Sequence, residues 1–174
     1  MHAATASPDA PRRVALLGVG NILLSDEGVG VRLVERIEAG YRLPEWVTVL
    51  DGGTCAMEML EELENLDLLV IADCVRTGRP PASVVVLKDD DVPAFFRTKL
   101  SPHQVGLSDV LATLHFTGRA PGRVVVVGVQ PVSIDTGMAL TEAVAAALPE
   151  AEAAIVSALQ NAGVPCTPRC AEAA

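Results

Sequence analysis

An alternation in the sequence constrains the fold more than any other feature. Short, continuous apolar runs, each closed by turn-forming or acidic residues, are separated by stretches in which apolar residues recur at helical spacing. Arg13 to Gly18, Val47 to Leu50, Leu66 to Ala72, Val84 to Leu87 and Val124 to Val129 are the five runs. Between them, Asp26 reads as the N-cap of a helix with Val29, Leu33, Val34 and Ile37 on one face and Gly40 as its stop. A second helix is expected over Ala56 to Leu63. A third follows Ser101-Pro102-His103 and carries Val105, Val110, Leu111 and Leu114; a fourth, alanine-rich, spans Thr141 to Asn161. Strands that are apolar at every position suit a sheet covered on both faces. The expected architecture is therefore α/β: a three-layer sandwich with a twisted, mostly parallel five-stranded sheet and helices on both faces. Residues 1–11 are expected to be a disordered leader, residues 12–163 a single domain, and residues 164–174, with two prolines and no core pattern, a flexible tail.

Charge removes several functional classes. Thirteen Lys and Arg against 22 Asp and Glu give a formal charge of −9, which opposes phosphate-driven nucleic-acid binding and an anionic membrane surface. Aromatic residues are 3% of the chain, too few for base-stacking platforms. No apolar run is long enough to span a bilayer. Arg12-Arg13 before Val14-Ala15-Leu16-Leu17 imitates a twin-arginine export signal, but Gly18, Gly20 and Asn21 break the run and no small-residue cleavage site follows. Cys55, Cys74, Cys166 and Cys170 form neither a dense disulfide framework nor a C-x-x-C pair. The expectation is a cytoplasmic chain with reduced thiols, and a monomer, since no strand or heptad pattern demands pairing.

In parallel sheets, ligands bind beyond the carboxyl ends of the strands. That edge collects Asn21, Asp26 and Glu27 after the first strand, Asp51 after the second, Asp73 after the third, and His103 after the fourth. An imidazole with two carboxylates suits a divalent transition metal with positions left open. Each residue also has a plain structural reading. Glu27 complements a helix dipole, Asp51 before two glycines is a turn residue, Asp73 caps the segment after its strand, and His103 is an exposed loop histidine. Two other site types fit worse. Gly18-Val-Gly20 imitates a dinucleotide loop with Asp51 as the ribose acid, but Leu23 stands where the third glycine belongs, and Asp26 and Glu27 would repel a pyrophosphate. Cys55 and Cys74 flank an acidic site that raises rather than lowers a thiol pKa, and no G-x-S-x-G elbow exists. His115 falls on a helix and His2 in the leader, which leaves His103 as the histidine of interest.

At these same residues the chain resembles the nickel–iron hydrogenase maturation endopeptidases, closest to those serving uptake-type hydrogenases. Gly18-Val-Gly-Asn-Ile-Leu-Leu-Ser-Asp-Glu-Gly-Val-Gly-Val-Arg32 is similar to the family's opening motif. Asp51-Gly-Gly-Thr54, Ile71-Ala-Asp73, Ser101-Pro-His-Gln-Val-Gly-Leu-Ser-Asp-Val-Leu111 and Val127-Gly-Val-Gln-Pro131 follow in the family's order. The resemblance extends from Val14 to Gly163. It implies an endopeptidase that removes a C-terminal extension from the precursor of the hydrogenase large subunit once nickel is in place. It assigns nickel contact to Glu27, Asp73 and His103, and a supporting role to Asp51. Nickel is then the one cofactor implied, supplied by the precursor. It serves either as a recognition element or as a Lewis acid with one carboxylate as general base. The wide separation of the three ligands favours a site that borrows its metal, so the isolated chain is expected to bind nickel weakly or not at all. A non-catalytic chaperone sensing nickel in the large subunit would use the same three residues.

Overall fold

The computed structural model describes residues 12–92 and 102–169, with the backbone alone for Ala56 and for residues 102–105. The first eleven residues and residues 170–174, including Cys170, lie outside the described residues. Five strands form one sheet: β1 (Val14–Val19), β3 (Val47–Gly53), β4 (Leu68–Cys74), β5 (Val84–Lys88) and β6 (Val124–Val129). Their spatial order is β3-β1-β4-β6-β5. All neighbours are parallel except the edge strand β5, which runs antiparallel to β6. The mostly parallel five-stranded sheet anticipated from the sequence is thus present.

The pleat sorts the side chains. On β1, Val14 and Leu16 point to one face and Ala15, Leu17 and Val19 to the other. On β4, Leu68, Val70, Ala72 and Cys74 take the first face, while Leu69 and Ile71 take the second. Helix α1 (Val29–Gly40) covers the first face with Val29, Leu33, Val34 and Ile37. The same face is completed by α4 (Glu142–Asn161) through Val144, Ala151, Ile155 and Leu159. The second face is covered by the single turn α2 (Leu60–Leu63) and by α3 (Pro102–Phe116), which contribute Leu63 and Leu107, Val110 and Leu114. Because both faces are dry, every residue of β1 and β4 is buried, which explains the uninterrupted apolar runs.

Several boundaries move. Pairing of β4 with β6 continues through Asp73–Gly128 and Cys74–Val129, so Asp73 lies within a strand rather than just past its end. β3 likewise runs on through Asp51-Gly52-Gly53 alongside β1. The helix expected over Ala56 to Leu63 is a 3₁₀ turn, Ala56–Met59, followed by one α turn. Pro102 opens α3, as its fixed φ and missing N–H suit a first helical position. The backbone of His103 therefore lies in the first turn of a helix, not in a loop.

The reading of residues 164–174 as a featureless tail does not hold for residues 164–169. Val164 and Cys166 are buried in the core against α1 and α4. Thr167 and Pro168 form β7, paired antiparallel with β2 (Tyr41–Arg42), and the Arg169 N–H donates to the Gly40 carbonyl. Two isolated buried residues and a two-residue strand leave no periodicity for sequence to show.

Candidate functional site at the carboxyl edge of the sheet

The chain leaves β1 at Val19 and must turn at once to lay α1 back on the sheet. Glycine makes this possible. Gly20 has φ +134°, and a Cβ there would collide with the Glu27 carbonyl. Gly30, in the first turn of α1, sits so close to β1 and β4 that a Cβ would run into the carbonyl oxygens of Ala72 and Val19. Of the glycines that imitate a dinucleotide loop, Gly20 makes this turn, and Gly18 serves close packing, since a Cβ there would meet the Gly30 carbonyl and the Val34 side chain of α1. Between Gly20 and Gly30, Ser25–Gly28 forms a 3₁₀ turn that carries Asp26 and Glu27 into the interior.

That turn packs against β4, the strand that carries Asp73. Glu27 is 7% exposed and Asp73 fully buried, so two carboxylates are withdrawn from solvent at one sheet edge. Burying such groups is costly unless they are hydrogen-bonded, paired or coordinated to a metal. Asp73 shares its strand parity with Leu69 and Ile71, which places it toward the layer that contains α3. The adjacent Cys74 reports the local field. Burial pushes its thiol pKa up, the Asp73 and Glu27 charges push it further, and Arg76 partly opposes them. A thiol so raised is a poor nucleophile, in keeping with the inert role expected for Cys74. Cys55 is exposed, Cys166 is buried, and all three described cysteines carry thiols.

Asp51 is exposed at the same edge, where its Oδ1 accepts the Gly53 N–H at 2.9 Å. Gly53 has φ +45° and its carbonyl accepts the Gly20 N–H at 2.8 Å. Asp51 thus shapes the loop beside the site. The side chain of His103 lies outside the described residues. His115, further along α3, is exposed. Among the described residues, no group of three or more His, Cys, Asp and Glu is arranged to hold a metal ion. Two buried carboxylates with an imidazole from α3 are chemically a fit donor set for a divalent transition ion.

Asp26 corrects the sequence reading most clearly. It caps no helix: Leu24 and Gly28 hold the cap positions of the 3₁₀ turn and α1, and neither uses its side chain. Its carboxylate instead accepts four hydrogen bonds from across the chain. The donors are Val132 N–H at 2.9 Å, Ser133 N–H at 3.1 Å, Thr141 N–H at 2.7 Å and the Thr141 hydroxyl at 2.9 Å. Gln130, the glutamine of the last motif, acts in the same fashion. Its Oε1 accepts the Thr77 N–H at 2.8 Å, tying the loop after β4 to the end of β6. Both roles span more than fifty residues, so no local pattern announces them. The one sequence signal was their place within the motifs.

Similarity to known proteins agrees with this geometry. A family model described as hydrogenase maturation protease matches residues 31–158. The hydrogenase 2 maturation protease of Escherichia coli (strain K12) is 46% identical over 158 residues, covering 90% of this chain and 96% of that protein. The hydrogenase expression/formation protein HupD of Rhodobacter capsulatus is 43% identical over 90% of this chain and 76% of its own length. The solved structure of the hydrogenase maturating endopeptidase HybD from E. coli superimposes with a TM-score of 0.87 at 47% identity, covering 90% of this chain and 98% of that one. With the fold and these likenesses in agreement, the chain belongs to the hydrogenase maturation protease family.

Proposed function

We propose that this endopeptidase removes the C-terminal extension of a nickel–iron hydrogenase large-subunit precursor, and that it recognises nickel already held by that precursor through Glu27, Asp73 and His103. The observation that carries this reading is the burial of Glu27 and Asp73 together at the carboxyl edge of the sheet, in a chain 46% identical to a hydrogenase 2 maturation protease. The wide sequence separation of the three ligands supports a borrowed ion. Glu27 enters from the turn before α1, Asp73 from the central strand β4, and His103 from the first turn of α3. Three elements of different layers would each supply one donor, and the nickel of a loaded precursor would join them. An empty precursor lacks that anchor, so selectivity arises from a missing bond rather than from surface fit. Asp51 shapes the adjoining loop in support.

Intact-mass analysis of the precursor, with and without nickel, tests this directly. Loss of a C-terminal peptide from the nickel-loaded sample alone is the expected result. Cutting of both samples would remove the metal gate, and cutting of neither would favour a non-catalytic sensor. Glu27→Gln and Asp73→Asn keep shape while removing a charge, and both are expected to abolish processing. Normal processing by either would remove that residue from the ligand set. Calorimetric titration of the free protein with nickel is expected to show weak or no binding; tight stoichiometric uptake would argue for a resident metal.

A further inference from the structure

Asp26 lies next to Glu27, and the function above makes no use of it. Its carboxylate is 0% exposed. All four groups around it are donors: Oδ2 takes Val132 N–H, Ser133 N–H and the Thr141 hydroxyl, and Oδ1 takes Thr141 N–H. These donors sit at the two ends of the segment from Val132 to Thr141, which bridges β6 and α4. The middle of that segment is fastened to the same turn by backbone bonds. Asp26 N–H donates to Ser133 C=O at 3.2 Å, Ser25 N–H to Gly137 C=O at 2.7 Å, and Gly137 N–H to Leu23 C=O at 2.9 Å. The Ser25 hydroxyl adds a bond to Asp135 C=O at 2.8 Å. Leu23 to Asp26 and Val132 to Thr141 thus form one stitched body, and Glu27 is the next residue along the chain. A 3₁₀ turn has poorer hydrogen-bond geometry than an α-helix and is seldom stable alone. Here its position is set from outside, by the strap.

We propose that Asp26 is a positioning residue for precursor cleavage: through the Val132–Thr141 strap it fixes the turn that presents Glu27. The inference rests on Glu27 acting at the site. A displacement of the order of 1 Å at a reacting group is enough to cost about a hundredfold in rate, so a loosened turn should be read in turnover. Neither carboxylate oxygen can be exchanged for an amide without setting donor against donor.

The experiment compares wild type, Asp26→Asn, Thr141→Val, Thr141→Ser and Glu27→Gln on a nickel-loaded precursor, well below each protein's melting temperature. Asp26→Asn is expected to lower kcat by about tenfold or more per folded molecule, with a smaller change in KM. Thr141→Val keeps the backbone donor but loses the hydroxyl, and should lower kcat by roughly threefold, while Thr141→Ser restores the hydroxyl and the wild-type rate. A merely structural role would shift melting temperature without this split or this rescue. Folded Asp26→Asn with wild-type kcat overturns the proposal. If that variant does not fold, equal kcat in Thr141→Val and Thr141→Ser overturns it instead. Wild-type cleavage by Glu27→Gln would defeat the assignment of Glu27, a separate failure from that of Asp26.

Discussion

The two faces of the sheet are built differently. On the first, two long helices lie close, with Gly30 against strand carbonyls, and Val164 and Cys166 join the same core. On the second, α3 does most of the covering, helped by a single α turn and a 3₁₀ turn. The candidate site straddles this divide: Glu27 belongs to the tightly packed first layer, and His103 to the helix of the second. The half that carries Glu27 is tied to the segment from Val132 to Thr141 by the bonds of the preceding turn. The other half depends on how a single helix is seated.

The sharpest way to break the first face is Gly30→Ala. Its methyl group would meet backbone oxygens that cannot rotate aside, so a loss of about 3 kcal/mol or more in urea-denaturation stability is expected. A near-neutral result would mean that α1 can lift from the sheet. Two cavity-forming changes then separate the faces. Ile155→Ala in α4 and Leu107→Ala in α3 both truncate fully buried side chains, and each should cost about 3 kcal/mol. Leu107 lies one helical turn beyond His103, so its truncation should also slow precursor processing, whereas Ile155→Ala should leave the rate per folded molecule intact. Equal effects on rate would erase the proposed division.

Alkaline pH gives a smaller effect. Cys74, Cys166 and Tyr41 all have pKa values raised in the fold, with burial the largest cause for each. A group raised in this way contributes stability that is whole below its unfolded pKa and is lost as pH rises toward the folded value. Urea midpoints should therefore hold level near neutrality and decline above about pH 9. Alkylation mapping at moderate pH should find Cys55 modified well before Cys74. The smallest expected effect is at the seam between α1 and α4, where Arg36 and Glu152 pair at 2.6 Å with both side chains partly solvated. Arg36→Ala should cost under about 1 kcal/mol and leave processing unchanged.

The sheet and its order of elements were legible because burial on both faces writes itself as unbroken apolar runs, as in Val14–Val19 and Leu68–Cys74. Asp73 was visible as an acidic residue closing such a run and Glu27 as one in the loop after another, but the burial of both was not. Nor was the work of Asp26, because its partners lie 106 to 115 residues away. A carboxylate that opens a helix and one that anchors a distant strap look alike in one dimension. The antiparallel run of β5 was hidden for a related reason: direction depends on the path between strands, and Val84–Lys88 reads the same either way. The docking of residues 164–169 rests on a two-residue pairing and two isolated buried residues, Val164 and Cys166, below what periodicity can resolve.

The pairing of β7 with β2 has a practical side. α1 starts at the carboxyl edge of the sheet, just after the turn that carries Glu27, and, at 12 residues, runs about 18 Å to Gly40, beside which Arg169 is held. Arg12, just before β1, donates to the carbonyls of Ala162 and Gly163. Both ends of the described residues are therefore gathered on the side away from the candidate site. A linker attached at Arg12 or Arg169 would start from the side opposite the working edge. The molecule is well disposed to immobilisation through those two positions.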